Sequence, residues 1–315
     1  ITHVNEGPHN LEQVEILEAM AEANVRLGDL DTARDVLDRI HILNVRHFSN
    51  DALGLLPSLM RRATWQHRAG YHNDERATYR RAIRIVEESA GRDDPRLIEP
   101  LLRLGRSFYT YQPEPDALGR PISVTGGGEI YLKRANKIAE RAKDMQGLDK
   151  AKTRLALADY YIATDSFTRA RRIYEEVWSD LSADESLLEF RGDLLDNPRP
   201  IWTEPLPPYT SGAVGATDRR DGEIRTGTVT VDFIVDRRGR ARLLETRTNP
   251  EEFSDMERMV ERSVERRRYR PTISDGHIVD STTQTFTHEF RYKKAELDEI
   301  RAEEASNEQT TARSQ

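Results

Sequence analysis

Small and apolar positions recur with helical spacing through the first part of the chain. The clearest unit is LALADYYIATDSFTRARRIYEEVW, from residue 155 to residue 178. It places small residues at Ala158 and Ala170 and aromatic residues at Tyr161 and Tyr174, with polar residues at 164–166 between the two halves. This arrangement predicts two amphipathic helices that pack closely across a short turn.

The same frame repeats upstream with a fixed step. The small residue that opens each unit recurs at Ala21, Ala63, Gly105 and Ala158. The steps between these positions are 42, 42 and 53 residues. The longer step contains a Pro- and Gly-rich stretch that cannot be helical throughout, so we place an insertion at about 112–128. Four hairpins of about 42 residues are therefore predicted in 1–195, with 184–195 covering the last one. A helical bundle without repeats is the alternative.

The spacing of small and aromatic positions resembles that of the tetratricopeptide repeat. Two positions depart from it: Glu75 stands where a small residue is expected, and Asn24 where an aromatic residue is usual. The resemblance implies a helical solenoid in which the first helix of each repeat faces a concave groove. The charged residues of that face are candidates for contact with a partner, although they are equally consistent with a solvated groove: Arg26, His67, Arg68, Lys152 and Asp159.

The pattern changes to a period of two beyond a Pro-rich segment at 196–226, which we interpret as an extended linker. In GTVTVDFIV, from residue 227, alternate apolar residues predict a half-buried strand. DRRG then predicts a tight turn into a second strand. A helix is expected from Asn249 as its cap through RRR at 266–268, with Pro271 ending it, and TTQTFTHEFRY predicts the last strand. The polar residues 293–315 are expected to be a frayed helix or a disordered tail.

Charge and residue usage exclude several kinds of function. The net charge is −7, so RRRYR is interpreted as the basic end of a helix and no nucleic-acid partner is expected. The chain has no Cys, and its eight His are scattered with no His-Glu-x-x-His pattern. No Gly-x-Ser-x-Gly motif occurs either. We therefore expect no catalytic residue, no metal site and no cofactor, and hence a protein that is not an enzyme.

The features of 205–292 together resemble the C-terminal domain of TonB-type energy transducers. The resemblance rests on Gly-x-Val-x-Val-x-Phe-x-Val at 227–235, on an Asp-x-x-Gly turn, and on Tyr269, Pro271 and Asp-Gly before the last strand. Arg267 stands where that family has Trp, and no long Lys-Pro/Glu-Pro spacer is present. The fold class expected is thus multidomain: an all-α tetratricopeptide-like solenoid, then a small α+β domain at 227–292 with an antiparallel sheet and one helix.

The resemblance implies a periplasmic domain that captures an extended peptide of an outer-membrane transporter or another envelope component by strand addition. The last strand, 282–289, would supply the edge. The residues expected to meet the partner are Thr283, Thr285, Thr287 and Glu289. The alternative function is an envelope scaffold that binds through the repeat groove and uses the small domain only for docking.

No apolar run approaches the roughly 18 residues of a membrane helix. Because residue 1 is Ile, we expect a trimmed start, and a signal peptide, lipid anchor or membrane helix would then have preceded it. Association with a membrane is otherwise expected only through a partner.

Overall fold

The computed structural model of the 315-residue chain describes residues 11, 13–110, 127–203, 206–210, 213 and 223–313, with side chains through residue 303. By contact density the chain divides into two compact units, Ile1–Tyr160 and Tyr161–Gln315. In the sequence, the change from helical to other patterns lies near residue 196. This boundary is defined by secondary structure and the division at residue 160 by contacts, so the two need not coincide. The predicted domain bounds, 1–195 and 227–292, therefore stay predictions.

The first unit consists of helices arranged as successive hairpins. Its helices are α1 (Gln13–Leu27), α2 (Leu30–His47), α3 (Leu56–Arg68), α4 (His72–Ala90), α5 (Ile98–Thr110), α6 (Gly128–Arg141) and α7 (Gly147–Ala163), within which the division falls. The most extensive helix–helix contacts of this unit are between partners of one hairpin: α1 with α2, α3 with α4, and α5 with α6. This pattern confirms a helical-repeat fold.

The repeat frame is confirmed by burial and by backbone conformation. The small residues Ala21, Ala63 and Ala158 are fully buried, as are Ala33 and Ala170 in the second helices. A residue just beyond the first helix takes a positive φ at equivalent positions of three repeats: Gly28 at 78°, Gly70 at 78° and Asp165 at 55°. Equal spacing therefore produces equal turns, which a bundle without repeats would not require.

The third hairpin packs most closely where its two helices present glycine to each other. A Cβ atom added to Gly128 would lie 2.6 Å from the carbonyl oxygen of Gly105, and one added to Gly105 would lie 2.6 Å from Leu132 Cγ. Helix α6 begins at Gly128, which coincides with the end of the insertion predicted at about 112–128. Most of the predicted insertion at 112–128 lies outside the described residues.

In its described residues, the second unit combines four further helices with three small antiparallel sheets. It contains α8 (Phe167–Ser182), α9 (Leu188–Leu195), β1 (Arg199–Trp202), β2 (Ile224–Val235), β3 (Ala241–Asn249), α10 (Ser254–Arg266), β4 (Arg268–Arg270), β5 (Thr272–Ser274), β6 (His277–Val279), β7 (Gln284–Lys293) and α11 (Lys294–Arg313). The main sheet has the order β3-β2-β7, and the two-stranded sheets are β1-β4 and β5-β6. Helix α9 covers α8, as predicted for 184–195.

The core of this unit lies between one face of the main sheet and α10. The apolar alternation of β2 is confirmed, since Val229, Val231, Phe233 and Val235 are all buried. Opposite them α10 and the turn before it contribute Phe253, Met256, Val260 and Val264, and β7 contributes Phe290 and Tyr292. The predicted arrangement of one helix on an antiparallel sheet is therefore present.

The structure corrects the helix bounds around the arginine run. Helix α10 begins at Ser254. Asn249 is not its cap, because that residue is still paired with Thr228 at the end of β3. It ends at Arg266, and Arg268 belongs to β4. The run at 266–268 is thus a helix end, a buried arginine and a strand start, and not one basic helical turn.

The Asp-Gly turn also differs from expectation. Asp275 and Gly276 take φ values of 50° and 79° and connect β5 to β6 in a separate two-residue hairpin. The chain therefore does not pass directly from this turn into β7. The hairpin packs against α8 instead.

Described parts of the predicted linker and tail are ordered elements. Within 196–226, which is predicted as an extended linker, residues 199–202 form β1 and pair with β4 through Arg199 opposite Arg270. The tail starts as α11, where Leu297 is buried in the core of the second unit and Ile300 packs against it. Among the described residues, no helix has the length and apolar character needed to cross a membrane.

Candidate partner-binding surfaces

Strand β7 lies at the edge of the main sheet, as predicted. It pairs on one side with β2, from Gln284 opposite Phe233 to Lys293 opposite Ile224. Thr285, Thr287 and Glu289 are within this strand and exposed, whereas Thr283 is exposed but precedes it. Three of the four predicted edge residues therefore share one strand.

The outer side of β7 already pairs with an extended segment of the same chain. The Arg291 N–H donates to the Pro208 carbonyl at 2.8 Å, and the Thr210 N–H donates to the Arg291 carbonyl at 2.9 Å. These two bonds form a parallel bridge between Tyr209 and Arg291. The segment 206–210 is held there by Leu206, which packs on the core, and by Thr210 Oγ1, 2.6 Å from Glu296 Oε2.

Proline ends this internal pairing after one residue. The next parallel bridge would need an N–H at residue 208 to donate to the Glu289 carbonyl, and Pro208 has none. Pro207 instead accepts a side-chain hydrogen bond, because its carbonyl oxygen lies 2.9 Å from His288 Nε2. Within the described residues, the cover on β7 therefore lies at its C-terminal half.

The remaining edge presents unpaired backbone groups at three residues. The N–H and C=O groups of Arg291 point away from β2. Because these directions alternate along a strand, the N–H and C=O groups of Thr285, Thr287 and Glu289 also point away from β2. In the part of the chain that the structure describes, no backbone hydrogen bond is made to these groups. Six residues of this edge, 284–289, extend over about 20 Å.

The two faces beside this edge differ in polarity. On the solvent face, Thr285 Oγ1 donates to Asp232 Oδ1 at 2.6 Å, and Arg247 donates to the other oxygen of Asp232 at 2.6 Å. The hydrogen bond from Thr285, followed by that from Arg247, lowers the pKa of Asp232. Thr230 and Thr287 extend this polar row, with their Oγ1 atoms 3.2 Å apart.

The opposite face offers half-buried rings and a buried cation. Phe286 and His288 alternate with the exposed threonines along β7. The guanidinium carbon of Arg267 lies 3.9 Å from the centre of the Phe286 ring, and Arg267 is only 5% exposed. No sequence pattern indicated this arginine as a buried residue, because the run of three arginines suggested a solvated helix end.

Of the predicted groove residues, Arg26 on α1 and Arg68 on α3 meet at one carboxylate. Arg26 and Arg68 both bind the carboxylate of Glu22, each at 2.9 Å. These two hydrogen-bonded guanidinium groups lower the pKa of Glu22, with Arg68 as the larger cause. Arg68 also lies over the Trp65 ring, 4.8 Å from its centre, so this end of the hairpins carries two exposed cations for one carboxylate.

His67, next to Arg68, is turned toward the following helix. Its Nδ1 atom lies 3.1 Å from Glu75 Oε2, and this hydrogen bond raises the pKa of His67. Lys152 and Asp159 lie apart from these residues on α7. Lys152 is exposed beside Asp149 at 3.6 Å, whereas Asp159 is buried at 7% exposure.

Comparison with known proteins finds no matching family model and no matching curated protein. Among solved structures, the chain is similar to BtubC (BKLC) from P. vanneervenii, with 14% identity, a TM-score of 0.42, and coverage of 55% of this chain and 65% of that one. It thus spans just under two thirds of that structure.

A Podosopora anserina protein described as a putative kinesin light chain with nearly identical TPR-like repeats is similar at the same level. Identity is 14%, the TM-score is 0.42, and 56% of this chain and 78% of that chain are covered. A variant of that protein with a single substitution gives 14% identity, a TM-score of 0.43 and coverage of 56% and 77%. The repeat fold rests on the geometry of this chain itself, and the TonB-type resemblance of 205–292 stays a prediction.

Proposed function

We propose that this protein is a non-enzymatic interaction protein of the bacterial periplasm that captures an extended peptide by strand addition at β7. The peptide would belong to an outer-membrane transporter or to another envelope component, as the TonB-type resemblance implies. One observation carries the proposal. The edge of β7 already holds an extended segment at Arg291, and no described residue forms backbone hydrogen bonds to the same edge at Glu289, Thr287 and Thr285.

The chemistry of the edge also restricts the peptide. Backbone bonds to three outward-facing residues supply affinity for any extended chain, whereas alternate side chains meet different surfaces. One set would lie beside the polar row of Asp232 and Thr287, the other beside Phe286 and His288. A bound segment of about six residues that alternates polar and apolar side chains is therefore expected.

A single substitution at the edge tests this function. Thr287→Pro removes one outward N–H and leaves the β2 pairing intact, since proline is tolerated where the N–H of an edge strand faces solvent. Thr287→Val keeps the N–H and the β-branched shape, so it is the matched control. Linear peptides are first selected from a random displayed library against the full chain, and affinities are then measured by fluorescence anisotropy.

We expect Thr287→Pro to weaken binding of the selected peptides about tenfold or more, because a main-chain hydrogen bond is lost and the ring obstructs the added strand. Thr287→Val should bind as the wild type does. Peptides that bind Thr287→Pro unchanged would show that the edge of β7 is not the capture site.

The alternative function is an envelope scaffold that binds through the repeat groove. It is favoured by the exposed cations Arg26 and Arg68, which share one carboxylate and would suit an acidic partner segment. Arg68→Glu should abolish binding in that case and leave strand addition unaffected. The same selected peptides measured on Arg68→Glu and on Thr287→Pro thus distinguish the two functions.

The cellular location is tested separately. If the protein is periplasmic, osmotic shock of the source cells should release it together with a periplasmic marker enzyme. Retention with the cytoplasmic fraction would contradict this location without affecting the test of the edge.

A further inference from the structure

Two histidines and a glutamate converge at the turn between α3 and α4. His67 Nδ1 and His72 Nδ1 lie 3.1 Å and 3.3 Å from the same oxygen, Oε2 of Glu75. The two imidazole rings are 5.5 Å apart at their centres, and the candidate ligand atoms of all three residues lie within 4.8 Å of one another. The cluster is independent of the β7 edge.

The glutamate occupies a position at which the other repeats have a small residue. Its equivalents in the other repeats are Ala33, Gly128 and Ala170, all of them buried. The Glu75 side chain is buried too, with 5% of it exposed. A buried carboxylate is costly unless hydrogen bonds or a cation compensate it, so a specific reason for its presence is expected.

The other repeats also lack a histidine at the position of His67. The residues in the place of His67 are Val25, Tyr109 and Ile162, none of which can bind a metal through nitrogen. His67 ends one helix and His72 begins the next, and the turn at Gly70, with a φ of 78°, brings them to the same side. The second hairpin thus departs from the repeat frame at three positions that meet at one point.

The two distances from the histidine nitrogens to the glutamate oxygen fit a tetrahedral metal ion. Bonds of about 2.0–2.1 Å to imidazole nitrogen and carboxylate oxygen place neighbouring ligand atoms about 3.3 Å apart. The two nitrogen–oxygen distances, 3.1 Å and 3.3 Å, agree with this edge length. Because 49% of the His67 side chain is exposed, a fourth position would be open to a water molecule.

We propose that His67, His72 and Glu75 bind a divalent transition-metal ion of the Zn²⁺ type. Two imidazoles and one carboxylate favour zinc, cobalt or nickel over magnesium or calcium, which prefer sets of oxygen ligands. The ion would join the end of α3 to the start of α4 and so clamp the second hairpin.

The experiment uses the full chain without an affinity tag, freed of metal by dialysis against chelator. Zn²⁺ is titrated by isothermal calorimetry, and Co²⁺ is added in parallel because its visible absorption reports tetrahedral coordination. Glu75→Gln and His72→Asn each remove one ligand. His47→Asn makes the same chemical change at an exposed histidine outside the cluster and is the control.

We expect one equivalent of Zn²⁺ to bind the wild type and His47→Asn, and affinity to fall at least about tenfold in both ligand variants. Zn²⁺ should raise the melting temperature of the wild type and leave that of Glu75→Gln unchanged. Glu75→Ala restores the small residue found in the other repeats, so it provides a folded ligand variant if Glu75→Gln is unstable.

Two results would overturn the proposal. One is a wild type that binds no Zn²⁺ at micromolar concentration, which would leave the cluster as a hydrogen-bonded turn only. The other is a Zn²⁺ affinity that does not change in Glu75→Ala and His72→Asn, which would place the ion elsewhere on the chain.

Discussion

Arg267 is a buried cation in the core of the second unit. Its guanidinium stacks on Phe286, Nη2 lies 3.4 Å from Ser263 Oγ, and Nε has no hydrogen-bond partner among the described residues. Within that same part of the chain, no carboxylate lies within ion-pair distance of it. The hydroxyl of Tyr269 is buried and likewise unpartnered there, and burial raises the pKa of this tyrosine.

Removal of this charge should stabilise the protein. Arg267→Met keeps a long side chain over Phe286 and eliminates a desolvated group, so we expect the free energy of unfolding to rise by about 1 kcal/mol. Urea denaturation followed by circular dichroism measures the change. Phe286→Leu, which leaves the cation without its ring, should be destabilising. A clear loss of stability in Arg267→Met would show that the cation–π contact outweighs the desolvation of the guanidinium.

At the scale of single elements, two glycines of the helical hairpins are required for different reasons. Gly70 lies in the turn after α3 with a positive φ, and no atom lies within 4 Å of the place where its Cβ would be. Asp165 takes a similar conformation at the equivalent position of the fourth repeat. At Gly128 the backbone conformation is not the constraint, but Gly105 and Tyr160 leave no room for a side chain.

These two glycines should therefore respond differently to substitution. Gly70→Asn is expected to cost less than about 1 kcal/mol, because Asn readily adopts the left-handed region. Gly128→Ala should cost about 2 kcal/mol or more, since its Cβ would push against a carbonyl of the facing helix. Urea midpoints of both variants and the wild type test the difference. Equal losses would contradict the close approach of α5 and α6.

Strand β7 shows how one element can carry two kinds of pairing. Its inner side pairs with β2, and its outer side is bonded to 206–210 at Arg291. From Thr285 to Glu289 the outer backbone groups have no backbone partner among the described residues. Exposed edges risk aggregation, and proteins commonly cover them with short strands, charges or proline. Here Pro207 and Pro208 restrict the cover to the region of Arg291, which keeps the rest of the edge available.

At the scale of the whole molecule, ionisable groups make stability depend on pH. Hydrogen bonds from Arg68, Arg96 and Arg301 lower the pKa values of Glu22, Asp94 and Glu252, respectively. Burial, then Arg62 and Arg81, lowers the pKa of His41 to about 4 from its ordinary 6.5. Groups with lowered pKa values stabilise the fold above their unfolded pKa, and this stabilisation is lost as pH falls. His67 acts in the opposite sense, since its raised pKa favours the fold at low pH.

We therefore expect the melting temperature to fall between pH 7 and pH 4. The part of this loss between pH 6.5 and about 4 should be smaller in His41→Gln, which cannot take up a proton and can still accept the hydrogen bond from Arg81. His277→Gln, at an exposed position, is the control. Thermal melts at several pH values measure the effect. A profile for His41→Gln that matches the wild type would contradict the role of His41.

The sequence by itself determined the helical hairpins, the strands of the main sheet and the phase of the repeats. Helical spacing, the step of 42 residues and the alternation of β2 depend on local geometry, so they predicted the hairpins and the strands of the main sheet. The edge position of the last strand was expected only from the TonB-type resemblance. The sequence also showed that Glu75 departs from the repeat frame, but it did not predict which side chains Glu75 contacts.

Only the tertiary structure decided which distant residues meet. Three features depend on contacts between segments far apart in the chain, which the periodicity of a sequence does not show. They are the burial of Arg267, the parallel pairing of 206–210 with Arg291, and the strand at Arg199–Trp202. The convergence of His67, His72 and Glu75 depends on the turn at Gly70, which reverses the chain between two helices. Local patterns specify which elements form, whereas the surfaces proposed to bind a peptide and a metal arise from how those elements pack.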